Sequence, residues 1–211
     1  MKITNTEVFI PFNAVYGMRN AWESWDKMDT YPPLFFNSKE IHIGEKDLTL
    51  MHSLIKGGPE HRKFLRMIHV CVQVDMPRYW WSEADTYHFG TKNSTSTMHT
   101  LLSKKRPITK DLFVYCEEDL DTLQIMIDKL EEIRILYINT NSQKEKDHLI
   151  VRAKRLLPEG FLQLRVWDTN YEEIRNMYFQ RRHHRLKEEW IDTFCKWVES
   201  LPYANELILF N

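Results

Sequence analysis

Residues Pro77 to His99 read PRYWWSEADTYHFGTKNSTSTMH, two adjacent tryptophans running into a segment of Thr, Ser, Asn, His and Gly. Just upstream, Val70, Val72 and Val74 alternate with His69, Cys71 and Gln73. That period of two predicts a strand with one face buried, and Pro77 ends it. Arg78 to Tyr87 contains no breaker and predicts a helical turn, after which Gly90 releases the chain into a polar loop. Hydroxyls and amides gathered at such a junction suit phosphate or base contacts. The same residue types also build a capped turn anchored by tryptophan, so both readings stand at this point.

The elements on either side set the fold class. Thr6 to Ile10 predicts a short strand stopped by Pro11. Asp47 to Lys56 predicts a helix with Asp47 as its cap and Gly57 and Gly58 at its end. Pro59 to Arg66 then leads to the valine strand. Leu120, Leu123, Ile127 and Leu130 repeat at three and four residues, which predicts a helix from Glu118 to Ile138 whose stripe is core or subunit contact. A further helix, Gln143 to Leu157, gathers Leu149, Ala153, Leu156 and Leu157 on one side before Pro158. Phe161 to Trp167 predicts a second strand. Asn170 with Glu173 three residues on predicts a cap for a helix from Tyr171 to His184. Leu186 to Leu201 predicts the last helix, with Trp190, Phe194, Trp197 and Val198 as an apolar stripe. Few strands among many helices predict an α+β or mixed α/β domain.

The 211 residues suffice for a core without disulfides or metal, and with no linker or repeat they predict a single domain over 1–211. Charged residues are 28% of the chain and the net charge is -1, which disfavours nucleic acid and anionic membranes as partners, so an anion site has to be local. Three widely spaced cysteines, Cys71, Cys116 and Cys195, fit a reducing compartment and not a zinc ribbon. No segment approaches the roughly 20 apolar residues of a membrane helix, and MKITNTEVFIPF has no secretory pattern, so a cytoplasmic protein is expected.

Several chemistries fail on motif. HExxH, GxSxG, GxxxxGK and GxGxxG are all missing, and adjacent His183 and His184 point to different sides of a helix, so no metal site, serine hydrolase, P-loop or Rossmann site is expected. The densest basic run is Arg181, Arg182, His183, His184, Arg185 and Lys187. Most such runs are solvated faces. Yet spacings of four, three and four place Ile174, Tyr178, Arg181 and Arg185 on one helical face, which turns Arg181 inward toward an anion such as phosphate. Glu83 and Asp85 in the tryptophan segment would act as acid or base if desolvated, and otherwise are surface carboxylates on a helical turn.

The order of strand, Pro77, helical turn and Thr91-x-Asn93-x-x-Ser96 resembles the signature region of the flavin-dependent thymidylate synthases. That family's motif is Arg-His-Arg-x-x-Ser-x-Asn-Glu-x-Ser-x-Arg, with a Gln three residues upstream. In register, the Arg-His-Arg triplet falls on Thr86, Tyr87 and His88, the first Ser on Thr91, the Asn on Asn93 and the second Ser on Ser96. Glu83 takes the place of the Gln, Ser94 that of the Glu and Met98 that of the last Arg. Leu157-Pro158, Asn170 and Arg181 also match the family's distal pattern, where Lys187 and Glu189 stand for a Gln and a Glu. Upstream, His61 matches only the His of a Gly-His pair, and a later family His falls on Met67. The likeness spans Glu60 to Trp190.

The resemblance implies a mixed α/β subunit with long helices and a small sheet, assembled as a homotetramer that binds FAD and dUMP. NADPH would reduce the flavin, and methylenetetrahydrofolate would supply one carbon in a methyltransferase reaction on the pyrimidine. Carried over by position, Ser96, Arg181 and Asn170 would hold the nucleotide, with Glu83 and Arg181 catalytic. Thr86, Tyr87, His88, Thr91 and Asn93 would lie on the flavin side. Thr86 and His88 replace two cations, and each lost charge-assisted contact weakens binding by about ten- to a hundredfold. Two other readings therefore remain beside the enzyme. One is a nucleotide-binding module without redox chemistry, and the other is an interaction protein with Trp80 and Trp81 in a subunit contact.

Overall fold

The computed structural model describes residues 1–32 and 41–211. Strand β1 is Lys2–Phe9, followed by α1 (Phe12–Gly17) and α2 (Glu45–Lys56). Next come β2 (His69–Pro77), α3 (Arg78–Ala84), β3 (Thr91–Ser94) and α4 (Thr97–Thr100). The long helices α5 (Leu120–Asn139) and α6 (Gln143–Leu156) lead to β4 (Leu162–Asn170) and α7 (Tyr171–Arg181). A wide-turn helix, Lys187–Cys195, runs into α8 (Lys196–Glu199). The strand order is β1-β2-β4-β3. Arg78 N–H bonds Phe161 O at one end of the β2–β4 pair and Tyr171 N–H bonds Ile68 O at the other, which makes the pair antiparallel. Mixed α/β character with long helices and a small sheet is as the sequence predicts.

Two compact units divide the chain. One comprises Met1, 75–86 and 93–165; the other comprises 2–74, 87–92 and 166–211. In the first, α5 lies against α6, and Leu123, Ile127, Leu130 and Ile133 share a core with Leu149, Ile150 and Ala153. The predicted stripe is thus core. In the second, Val70, Val72 and Val74 of β2 are buried, each contributing about 1.5–3 kcal/mol. There α7 packs on the Lys187–Cys195 helix, where Trp190 and Phe194 meet edge to face at 5.3 Å.

Five expectations need correction. The cap of α2 is not Asp47: Asp29 reaches in from the preceding loop and accepts the N–H groups of Lys46 and Asp47. Asp47 is fully buried instead, with Arg19 donating to it at 2.7 and 2.6 Å and the Thr30 N–H at 2.8 Å. The polar loop after Gly90 contains strand β3, which has no buried face to give it a hydrophobic signal and is held through backbone pairing. Helix α7 stops at Arg181, so exposed Arg185 leaves the predicted face. Trp80 and Trp81 are both fully buried, packed edge to face at 4.9 Å, and present no surface for a subunit contact. The last predicted helix begins as a π-helix, in which Lys196 N–H reaches Ile191 O, five residues back.

Candidate functional site

Within the 75–86 and 93–165 unit, α3 is anchored by its tryptophans. The Trp81 indole donates to Gln163 O at 2.9 Å, and the Arg165 guanidinium lies 4.2 Å from the centre of its ring. Arg165 also donates twice to Asp85, each time at 3.0 Å, so that carboxylate belongs to a stacked ion pair. Glu83 is half-buried, and its carbonyl accepts the Thr86 hydroxyl at 2.7 Å, which turns Thr86 back onto the end of α3. Asn93 is exposed on β3. Ser96 stands just before α4, its carbonyl accepting both the N–H and the hydroxyl of Thr100.

One residue here escapes the sequence reading. Lys154 donates to buried Thr97 at 2.5 Å, next to Ser96 in the chain. Burial, and then the charge of Arg78, pull its pKa below the ordinary lysine value. Arg78 is paired with Glu159 at 3.1 Å. The only hint in the sequence is that Lys154 follows Ala153 on the apolar side of α6.

The 2–74, 87–92 and 166–211 unit carries the remaining predicted residues. Asn170 caps α7, its side-chain oxygen accepting the Glu173 N–H at 3.0 Å. Glu173 is 5% exposed, and burial raises its pKa against the opposing pull of the Phe89 N–H, Lys92 and His88. Thr169 donates to Phe89 O, so both backbone groups of Phe89 are held while its ring stays 63% exposed. The turn requires Gly90: its φ is +140°, and a Cβ there would lie 2.6 Å from Asp168 O and 2.7 Å from the Trp167 indole nitrogen. His88 and Thr91 are exposed. Phe89, Asn170 and Glu173 line a cavity of about 140 Å³ with Arg66, Glu172 and Asn176. A larger open groove of about 510 Å³ runs from Thr6–Phe9 to Ser200–Pro202 and includes none of the predicted residues.

Tyr87 and Arg181 are brought together. Tyr87 is 7% exposed, and its hydroxyl accepts from Arg181 Nε at 2.9 Å while donating to Gln180 at 2.9 Å. The Arg181 guanidinium also lies 4.7 Å from the centre of the Trp190 ring. The inward turn predicted for Arg181 is therefore present, with an aromatic floor under it. Nothing in the sequence pairs residues 94 positions apart.

The three triplet positions do not fit the diphosphate of a flavin dinucleotide. Thr86 faces a helix end, Tyr87 is spent on Arg181 and Gln180, and His88 is exposed. None supplies a permanent cation. Among the described residues no group of three or more His, Cys, Asp or Glu could hold a metal ion, and no helix is long and apolar enough to cross a membrane.

No protein-family model matches the sequence, and no curated protein matches it. Solved structures do match. The chain is similar to a crystal structure of the flavin-dependent thymidylate synthase ThyX from Helicobacter pylori complexed with FAD and dUMP, at a TM-score of 0.70 and 18% identity over 99% of this chain and 98% of that one. A second structure of the same Helicobacter pylori protein with FAD and dUMP matches at a TM-score of 0.67 and 18% identity, over 97% of each chain. The fold implied by the signature residues is therefore the fold of this chain.

Proposed function

We propose that this chain binds a pyrimidine nucleotide, dUMP or a near relative, on a thymidylate-synthase scaffold, without depending on a flavin. The observation that carries the reading is the full-length likeness to a protein seen with dUMP. The chain's own residues support it. Arg181 is oriented on Tyr87 and Trp190 and offers a planar fork to a nucleotide.

A second reading keeps the family reaction: one-carbon transfer from methylenetetrahydrofolate to the nucleotide, with FAD and NADPH as redox partners. It is favoured by FAD in both solved structures and opposed by the absence of arginine from Thr86, Tyr87 and His88. In either case the protein would work as a cytoplasmic homo-oligomer, a tetramer by resemblance. Light scattering tests that mass.

Thermal-shift titration separates the readings. Titrating the purified protein with dUMP is expected to raise its melting temperature, since a ligand at 100 times its Kd stabilises by about 2.7 kcal/mol. FAD alone is expected to give no shift and no bound flavin absorbance. Bound yellow flavin would favour the second reading; no shift with dUMP, dTMP or other pyrimidine nucleotides would remove both.

A further inference from the structure

We infer that Tyr87 is a positioning residue for the nucleotide, acting through Arg181, a role that rests on the pyrimidine-nucleotide reading above. Arg181 is the last residue of α7, and a long side chain at a helix end loses rotamer freedom when it must hold one pose. Tyr87 removes that freedom beforehand. Its hydroxyl accepts from Nε at 2.9 Å, its ring centre lies 5.4 Å from the guanidinium carbon, and the fully buried Trp190 ring lies on the same group at 4.7 Å.

The hydroxyl's own direction is fixed as well. A phenol has one proton, and here it goes to Gln180 Oε1 at 2.9 Å, which leaves a lone pair aimed at Arg181. Gln180 is in turn oriented by donating its amide to Asn176 Oδ1 at 2.8 Å. The three bonds, from Arg181 to Tyr87 to Gln180 to Asn176, all run donor to acceptor in one direction, so each polarises the next. Asn176 stands on the wall of the small cavity at the start of α7. Tyr87 thus sets the plane of the guanidinium fork without touching the ligand, and a preset fork binds more tightly than one that must be ordered on binding.

The test is a double-mutant cycle read by calorimetric titration with dUMP, alongside the melting temperature of each unliganded protein. Tyr87→Phe keeps the ring and removes the hydroxyl, and is expected to weaken dUMP binding about tenfold with the fold intact. Arg181→Lys keeps the charge and loses the fork. In that background Tyr87→Phe is expected to cost less than about twofold, because its effect runs through the guanidinium. Gln180→Leu changes an exposed residue and is expected to weaken binding about threefold in the same direction, so the chain can be tested even if Tyr87→Phe fails to fold. Unchanged dUMP affinity in Tyr87→Phe overturns the inference. So does an equal loss in both backgrounds, or unchanged affinity in Gln180→Leu where Tyr87→Phe is unfolded. If the unmutated protein binds no dUMP, the functional reading falls and this inference with it; the other failures leave that reading standing.

Discussion

Glu173 has two jobs that pull against each other. As the third residue of α7 it offers negative charge to the helix N-terminus and accepts the Phe89 N–H, while being 5% exposed. Burial outweighs these contacts and raises its pKa above the ordinary 4.5. A carboxyl whose folded pKa is raised holds its proton in the folded chain at a pH where the unfolded chain has released it. Its contribution to stability is therefore intact below the ordinary value and is lost as pH rises through the raised one. Glu173→Gln keeps an acceptor for Phe89 without the charge. Urea unfolding across the pH range is expected to give equal stabilities for the two proteins at about pH 4 and a more stable variant at about pH 8. Parallel profiles would mean that Glu173 titrates alike in both states.

At the level of elements, what the sequence made legible was local. The valine alternation of β2, the stripe on α5 and the Asn170 cap of α7 each depend on spacings of two to four residues, and each is present. What stayed hidden depends on partners distant in sequence. Strand β3 is paired with β4, about seventy residues on, with the Thr95 N–H just past its end bonding Leu164 O, and α2 is capped by Asp29, eighteen residues before Asp47. Tyr87 reaches Arg181 only after the chain has folded. Asn170 shows how a local reading and a family-based reading can fall on one residue, since the resemblance assigns to the nucleotide a side chain whose oxygen caps α7. Asn170→Ala is expected to lower the unfolding free energy by about 1 kcal/mol in denaturant titration, and Asn170→Asp, itself a good cap, by less than about 0.5. Equal losses in both would mean that the amide nitrogen, and not the cap, is what α7 needs.

For the whole molecule, a fold kept at 18% identity is what packing physics allows, because cores tolerate replacement wherever volume and apolar pattern are held. Binding sites are less tolerant, since a phosphate needs charge at particular positions. This chain fits that division: β2, α5 and α7 have buried stripes, while the positions that the resemblance sets against the arginines of the triplet carry Thr86 and His88. Both of those side chains are exposed, so restoring the charges disturbs no core packing, whereas Tyr87 between them is buried and stays. If missing charge limits flavin binding by this chain, Thr86→Arg with His88→Arg is expected to tighten FAD binding at least tenfold over the unmutated protein, a gain equal to about one charge-assisted phosphate contact. Flavin fluorescence quenching measures it directly. The gain should shrink at high salt, because both contacts are made at the surface. A double variant that binds FAD no better would place the obstacle elsewhere, with the buried Tyr87 and its bond to Arg181 as the next residue to replace.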